Sequence, residues 1–143
     1  MRFWDSSALV PLVVEEPASR ACRALLREDG LQLVWCLSRV EVLSALCRRH
    51  RGGGLDDDDL RRAADRLLRF ADRWTEIDAV PPVRETAERL LRIHPLRAAD
   101  ALQLAAALVA ADHRPRGRPF VCLDDQLTAA ADREGLATLR PRS

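Results

Sequence analysis

Short apolar runs alternate along this chain with longer segments whose apolar residues recur at helical spacing. The runs predict buried strands because they are too short for helices and are bounded by turn residues or acids. Strands that alternate with helices are typical of a parallel sheet with helices on both faces. We therefore expect a three-layer α/β/α fold whose central sheet is mainly parallel and has four to five strands. These strands are predicted at 2–4, 31–36, 75–78, 120–123 and, as an edge strand, 137–139.

Helices are predicted between these strands from apolar positions three and four residues apart. The segment 98–112 is apolar on nearly all sides, which indicates a central, buried helix. Gly30, the glycines at 52–54 and Gly135 are expected to end helices. The remaining helices are expected at 6–14, 17–29, from 38 to about 51, around 60–74, from the proline pair at 81–82 to His94, and from 124 to Gly135.

The bulk composition limits the classes of protein to consider. A length of 143 residues without a linker or internal repeat fits one domain spanning 1–143. Apolar residues make up 48% and charged residues 31%, and the net charge is +1, so bulk charge does not indicate a nucleic-acid partner. All 23 basic residues are arginine, which can bind phosphate with two hydrogen bonds and so leaves such a partner open.

No segment predicts a membrane span or a leader peptide. The apolar stretch 8–14 is followed directly by two glutamates and lacks a clear cleavage site, and 101–111 is too short to cross a bilayer. The four cysteines have no C-x-x-C spacing and lie in apolar settings, which is typical of reduced thiols in a core. We expect a cytoplasmic protein without membrane contact.

Four acidic residues fall where predicted strands meet helix starts: Asp5, Glu41, Asp100 and Asp124. Each has an ordinary structural explanation. Asp5 and Asp124 have the position of helix N-caps, Glu41 completes an S-x-x-E capping box with Ser38, and Asp100 lies near a helix dipole's positive end.

Taken together, these four positions predict more than caps. The carboxyl edge of an open α/β sheet is where ligands bind, and carboxylates gathered there repel one another unless a cation lies among them. No lysine is present to pair with them, which leaves arginine or a metal. Oxygen ligands suit magnesium or manganese, and such an ion can activate water for attack on a phosphodiester. The Ser7 hydroxyl would either bond a carboxylate or the attacking water, or be an ordinary first-turn serine.

The same segments resemble the PIN-domain family, specifically its VapC toxin type. The resemblance covers nearly the whole chain in order, and four blocks together are specific where one alone is weak. Gln103 stands where many members of the family have histidine, and Asp125, next to Asp124, is an alternative fourth acid. The blocks are FWDSSALV at 3–10, SRVEVLSAL at 38–46, PLRAADALQLA at 95–105, and FVCLDDQL at 120–127 with 130–131 and 135–136.

This resemblance implies a PIN-like fold and a Mg²⁺-dependent endoribonuclease, with Mn²⁺ as a second candidate metal. Asp5, Glu41, Asp100 and Asp124 would be its metal-binding and catalytic residues, with Ser7 beside them. The implied partners are an RNA substrate, a cognate VapB-like antitoxin that masks the site, and a second copy of the chain in a homodimer. The alternative is a catalytically inactive PIN-fold binding module. A phosphoacceptor switch is disfavoured because that chemistry needs a lysine.

Other charged runs have ordinary explanations. The acids at 56–59 lie at a predicted helix start, where they favour the dipole, and they lack the spacing and glycine of a calcium loop. Two arginine clusters fit either solvated ends or contacts with RNA or an acidic antitoxin segment. They are Arg48, Arg49 and Arg51, and the three arginines at 114–118.

Overall fold

A computed structural model describes residues 1–142 and contains five parallel strands in one sheet, in the order β3-β2-β1-β4-β5. Every pair of neighbours is parallel, with Phe3 opposite both Leu33 and Phe120. The predicted sheet is confirmed, including its edge strand. The strands are β1 (Arg2–Trp4), β2 (Gln32–Trp35), β3 (Thr75–Ile77), β4 (Pro119–Val121) and β5 (Ala137–Leu139).

Seven helices connect or follow these strands in residues 1–142, close to their predicted positions. Pro17 lies in a turn before the second helix, and the acid run begins the fourth helix, where Asp56 and Asp59 form a capping box. Trp74 falls after that helix but is still buried. The helices are α1 (Ser6–Val13), α2 (Ser19–Glu28), α3 (Ser38–Arg51), α4 (Asp57–Ala71), α5 (Val80–Ile93), α6 (Ala98–Ala110) and α7 (Asp125–Arg133).

The sheet separates two apolar layers, because successive strand residues point to opposite faces. Phe3 and Phe120 pack with α5, α6 and α7, and their rings stack with centroids 5.6 Å apart. Trp4 and Val121, the next residues along the same strands, pack with α1 to α4 on the other face. The three-layer α/β/α prediction is therefore confirmed.

This arrangement positions the chemistry at one edge of the sheet. In a parallel sheet all strands end at the same edge, and the chain leaves β1 and β4 there directly into α1 and α7. The helix α6 is buried along most of its length, as predicted from its apolar sequence. No helix within residues 1–142 is both long and apolar enough to cross a membrane. The predicted domain boundary at Ser143 lies outside the described residues.

A polar clamp ties the end of α5 to the end of α7. The buried His94 ring contacts Glu134 through Nε2 at 2.7 Å, and Arg89 donates to the other Glu134 oxygen, also at 2.7 Å. Burial would raise the pKa of Glu134, but the hydrogen bonds and charges of Arg89 and His94 outweigh it and lower that pKa below its usual value. Glu134 therefore stabilises the fold in its ionised form.

Replacing Glu134 with glutamine should lower the free energy of unfolding at pH 7 by about 1 to 2 kcal/mol, the usual range for a hydrogen-bonded charge. Because the folded-state pKa lies below the unfolded one, this contribution exists above the unfolded pKa and disappears as pH falls through the folded pKa. Urea unfolding at pH 7 and below pH 4 measures it. Glu88→Gln, an exposed change on α5, is the control. A stability difference that persists unchanged at low pH would contradict the clamp.

Candidate metal centre

Asp5 and Asp124 begin helices at the same edge of the sheet. Asp5 follows β1, is 3% exposed, and accepts a hydrogen bond from the Ser7 amide at 3.0 Å through Oδ2. Asp124 follows β4 and accepts from the Leu127 amide at 2.8 Å through Oδ1. Both N-cap predictions are confirmed. The Asp5 amide also donates to the Val121 carbonyl at 2.9 Å, which ties the start of α1 to the end of β4.

Glu41 does not form the predicted capping box. Helix α3 already includes Ser38, and its N-cap is Leu37, which has no side-chain cap. Ser38 is buried, and its hydroxyl accepts a hydrogen bond from Gln103 at 2.9 Å instead of capping the helix. Glu41 Oε2 accepts from the Ser6 hydroxyl at 2.8 Å and from Gln103 Nε2 at 3.2 Å. The capping-box prediction was wrong because Ser38 lies inside the helix and both side chains have tertiary partners.

The four acids line one open cleft of about 730 Å³ at the carboxyl edge of the sheet. Asp100 reaches it from the first turn of α6, as predicted, and Asp124 from the start of α7. Asp125 is not among the lining residues; its side chain is 79% exposed and pairs with Arg140. Of these adjacent aspartates, Asp124 is therefore the one that faces the cleft.

The carboxyl groups in this cleft are held in an unfavourable electrostatic setting. Burial raises the pKa of Asp5 to about 6 against the hydrogen bonds from Ser7, and the Glu41 charge adds to the rise. Burial also raises the pKa of Asp100 to about 6, with further contributions from Asp5 and Asp124 and opposition from Arg97. Desolvation of like charges at one site is the arrangement that a cation would relieve.

The pKa of Glu41 is raised as well, first by burial and then by the Asp100 charge, while Ser6 and Gln103 oppose the rise. Three of the four acids thus have pKa values shifted in the same direction. A carboxylate at a functional site commonly shows such a shift, although an ion-pair network can also produce one. Here burial and neighbouring acids raise the pKa values, so the shifts reflect an acidic cluster without enough nearby positive charge.

Ser7 links the segments that follow β1 and β4. Its amide binds Asp5, and its hydroxyl accepts a hydrogen bond from the Leu123 amide at 2.9 Å. The same hydroxyl oxygen lies 3.7 Å from the sulfur of Cys122. Ser7 lines the cleft with the acids. Whether its hydroxyl also meets an attacking water stays a prediction.

Three residues of this site escaped prediction: Ser6, Gln103 and Cys122. Ser6 and Gln103 hold Glu41, while Cys122 donates to Asp5 Oδ2 at 3.7 Å. Gln103 offered a signal, because a fully buried polar side chain in an apolar helix needs a partner. Cys122 gave none, since a buried cysteine in a strand has the same pattern as any small apolar residue.

Comparison with known proteins identifies the family. The PIN domain family model matches residues 2–114. The chain is 33% identical over 113 residues to Ribonuclease VapC49 of Mycobacterium tuberculosis, covering 77% of this chain and 76% of that protein. It is 32% identical over 139 residues to Ribonuclease VapC46 of the same organism, covering 97% and 96%. The chain belongs to the PIN-domain family. Its relatives are of the VapC type, in agreement with the resemblance of the four sequence blocks.

The fold of this PIN domain also matches solved structures. FitAcB from Neisseria gonorrhoeae superposes with a TM-score of 0.68 at 16% identity, covering 99% of this chain and 98% of that one. The structure of FitAB bound to an IR36 DNA fragment gives the same TM-score and identity, covering 99% and 95%. At this identity the likeness concerns the fold alone.

The acidic side chains of this PIN domain suit a divalent cation that keeps part of its water shell better than a cation enclosed entirely by protein ligands. Within residues 1–142 no three acidic, histidine or cysteine side chains stand close enough to form a ready coordination sphere. Asp5 Oδ1, however, is buried without a hydrogen-bond partner. Mg²⁺ keeps several waters and needs only one or two direct carboxylates, so an unpartnered buried oxygen among spaced acids is compatible with it.

The two arginine clusters of the PIN domain have different settings. Arg48 and Arg49 line the acidic cleft, and Arg49 pairs there with Glu16. Arg97 lines the cleft as well. Arg118 instead donates to the Ala110 carbonyl at 3.3 Å and borders a separate, mostly apolar cavity of about 180 Å³. Of the two clusters, the first therefore lines the cleft, through Arg48 and Arg49.

Proposed function

We propose that this PIN domain is a Mg²⁺-dependent endoribonuclease, a VapC-like toxin that hydrolyses RNA phosphodiester bonds. The observation that carries the proposal is the convergence of Asp5, Glu41, Asp100 and Asp124 on one cleft. The relatives that support it are named ribonucleases and match up to 97% of the chain. Mn²⁺ is a second candidate metal because it accepts the same oxygen ligands.

In this proposal the four acids have different roles. Asp5 is the principal ligand, since Oδ2 is fixed by the Ser7 amide while Oδ1 is left without a partner. Asp100 and Asp124 complete the acidic wall, and Glu41, held by Ser6 and Gln103, orients the attacking water or a water of the ion. When bound, the ion would lower the pKa of the attacking water and offset the charge that develops on the phosphate.

The arginines at the rim would hold the substrate. Arg48 and Arg97 line the cleft with the acids, and a guanidinium can bind a phosphate oxygen with two hydrogen bonds. Positive side chains beside an acidic centre allow an RNA backbone to approach carboxylates that would otherwise repel it. Single-stranded or looped RNA is the proposed substrate because its sequence can be recognised there.

A cognate VapB-like antitoxin is the proposed inhibitor. The cleft is open and its acids would accept a cationic side chain from such a partner in place of the metal. A homodimer, a single domain over 1–143 and a cytoplasmic location complete the proposal, and each rests on the family resemblance or on the sequence pattern. Size-exclusion chromatography with light scattering tests the dimer.

The test is cleavage of a structured RNA by purified, antitoxin-free protein with Mg²⁺ or with EDTA. We expect cleavage with Mg²⁺, its loss in EDTA, and its recovery when Mg²⁺ or Mn²⁺ is returned in excess. Cleavage that persists in EDTA would contradict a metal-dependent mechanism. RNA binding without cleavage under all conditions would instead support an inactive binding module.

A further inference from the structure

Cys122 lies beneath the acidic cleft, at the point where β4 passes the start of α1. The side chain is fully buried, and burial with the neighbouring Asp5 charge raises the pKa of its thiol to about 12. Its sulfur is 3.7 Å from Asp5 Oδ2 and 3.6 Å from the Asp124 carbonyl oxygen. It therefore touches both segments that carry the central aspartates.

The hydrogen-bond directions around this sulfur are constrained. The Ser7 hydroxyl oxygen accepts from the Leu123 amide at 2.9 Å, which leaves its own proton free to reach Cys122 Sγ at 3.7 Å. The thiol proton has two acceptors within reach, Asp5 Oδ2 at 3.7 Å and the Asp124 carbonyl oxygen at 3.6 Å, and an ionised carboxylate is the stronger acceptor of the two. One continuous chain of donors thus runs from the β4 backbone through Ser7 and Cys122 to the carboxylate.

The chain of donors acts on one oxygen only. Asp5 Oδ2 receives both the Ser7 amide and the Cys122 thiol, whereas Oδ1 is buried and receives no hydrogen bond. A carboxylate held at one oxygen cannot rotate freely about its terminal bond, and its other oxygen, Oδ1, has no competing hydrogen bond. Removing a donor that orients a metal ligand in this way commonly lowers metal affinity by about tenfold to a hundredfold.

We propose that Cys122 is a positioning residue, whose thiol holds Asp5 Oδ2 so that Oδ1 is presented to a divalent cation in the cleft. The inference rests on the proposed function for the identity of the ion and deepens it by adding a residue from outside the acidic set. A thiol is a weak donor, so its effect should lie near the low end of the range known for such contacts.

The first test measures Mg²⁺ binding by the shift in melting temperature, without RNA. Cys122→Ala removes the donor and should raise the half-saturating Mg²⁺ concentration about tenfold. Cys122→Ser keeps a donor and should recover most of that loss. Cys22→Ala is the matched control, because Cys22 is equally buried but lies in the opposite apolar layer. It should lower stability by a similar amount and leave the Mg²⁺ midpoint unchanged.

Two results would overturn the inference: an unchanged Mg²⁺ midpoint in Cys122→Ala, or an equal change in the serine and alanine variants. Failure of the proposed function has a different signature, namely wild-type protein that binds Mg²⁺ but does not cut RNA. Where cleavage is observed, Cys122→Ala should be rescued by higher Mg²⁺, whereas a general packing defect should not.

A second test needs no metal. In a Cys22→Ala, Cys36→Ala and Cys47→Ala background, the infrared S–H stretch reports Cys122 alone. We expect a band at lower frequency than that of a free thiol, because its proton is shared with a carboxylate, and a shift of this band in Asp5→Asn. A free-thiol frequency that is insensitive to Asp5→Asn would also overturn the inference.

Discussion

Asp5→Asn should lower the rate of RNA cleavage at least about a thousandfold and make the metal-free protein more stable. The loss of activity would follow because the carboxylate that we propose as the principal metal ligand becomes a neutral amide. The gain in stability follows because a buried carboxylate with few hydrogen bonds is replaced by a group without charge. Opposite effects of one substitution on stability and activity are expected where a functional site is held in an unfavourable state.

The sign of the stability effect comes from the pKa of Asp5. Burial raises it from 3.8 to about 6 in the folded protein, so the folded state binds more protons than the unfolded chain between these values. Stability from this group is fully present below pH 3.8 and is lost as pH rises through about 6. The ionised Asp5 side chain therefore lowers the free energy of unfolding at pH 7 by about 3 kcal/mol. Asp5→Asn should recover about 1 to 2 kcal/mol of this, because the new amide is imperfectly hydrogen-bonded.

Thermal and urea unfolding in EDTA at pH 7 and pH 5 measure this effect. The stability gain of Asp5→Asn should be largest at pH 7 and shrink toward pH 5, where the wild-type carboxyl group takes up its proton. Added Mg²⁺ should stabilise the wild type and not the variant. Asp125→Asn is the control, since Asp125 also lies at a helix start but faces solvent and Arg140. A variant that cleaves RNA or is less stable than wild type in EDTA would contradict this assignment of Asp5.

Much of the fold was predictable because local patterns and tertiary packing agree. The apolar run around Phe3 and the cap at Asp5 specify one strand-to-helix transition, and the cap at Asp124 specifies another. Parallel topology then brings these two ends together. The convergence of the acids could therefore be expected from chain order alone. Their electrostatic state could not, because it depends on burial and on which neighbours face them.

The wrong prediction at Glu41 shows where local patterns fail. Ser38 and Glu41 have the spacing of a capping box, but the cap depends on whether Ser38 stands before the helix or inside it. In the structure Ser38 lies inside the helix, where its hydroxyl accepts a hydrogen bond from Gln103, 65 positions away. Contacts at such separation leave no local signal, and the same reason explains why Ser6 and Cys122 were overlooked.

Mg²⁺ affinity should fall steeply as pH drops from 7 to 5, because the ion and protons compete for the same oxygens. Asp5 and Asp100 both have pKa values of about 6 in the metal-free protein. At pH 5 each aspartate would be ionised in roughly a tenth of the molecules. Protonation of each aspartate that binds the ion should therefore weaken Mg²⁺ binding about tenfold. Affinity should therefore drop about a hundredfold if both aspartates bind the ion and about tenfold if only one does.

Calorimetric titration at several pH values separates these two cases. The number of protons released on binding equals the slope of the logarithm of the Mg²⁺ affinity against pH. Asp100→Asn should reduce that slope to one proton if both aspartates are ligands in the wild type. Asp125→Asn should leave the slope unchanged. Binding that does not vary between pH 5 and 7 would show that neither Asp5 nor Asp100 holds the ion, and the acidic cleft would then need another explanation.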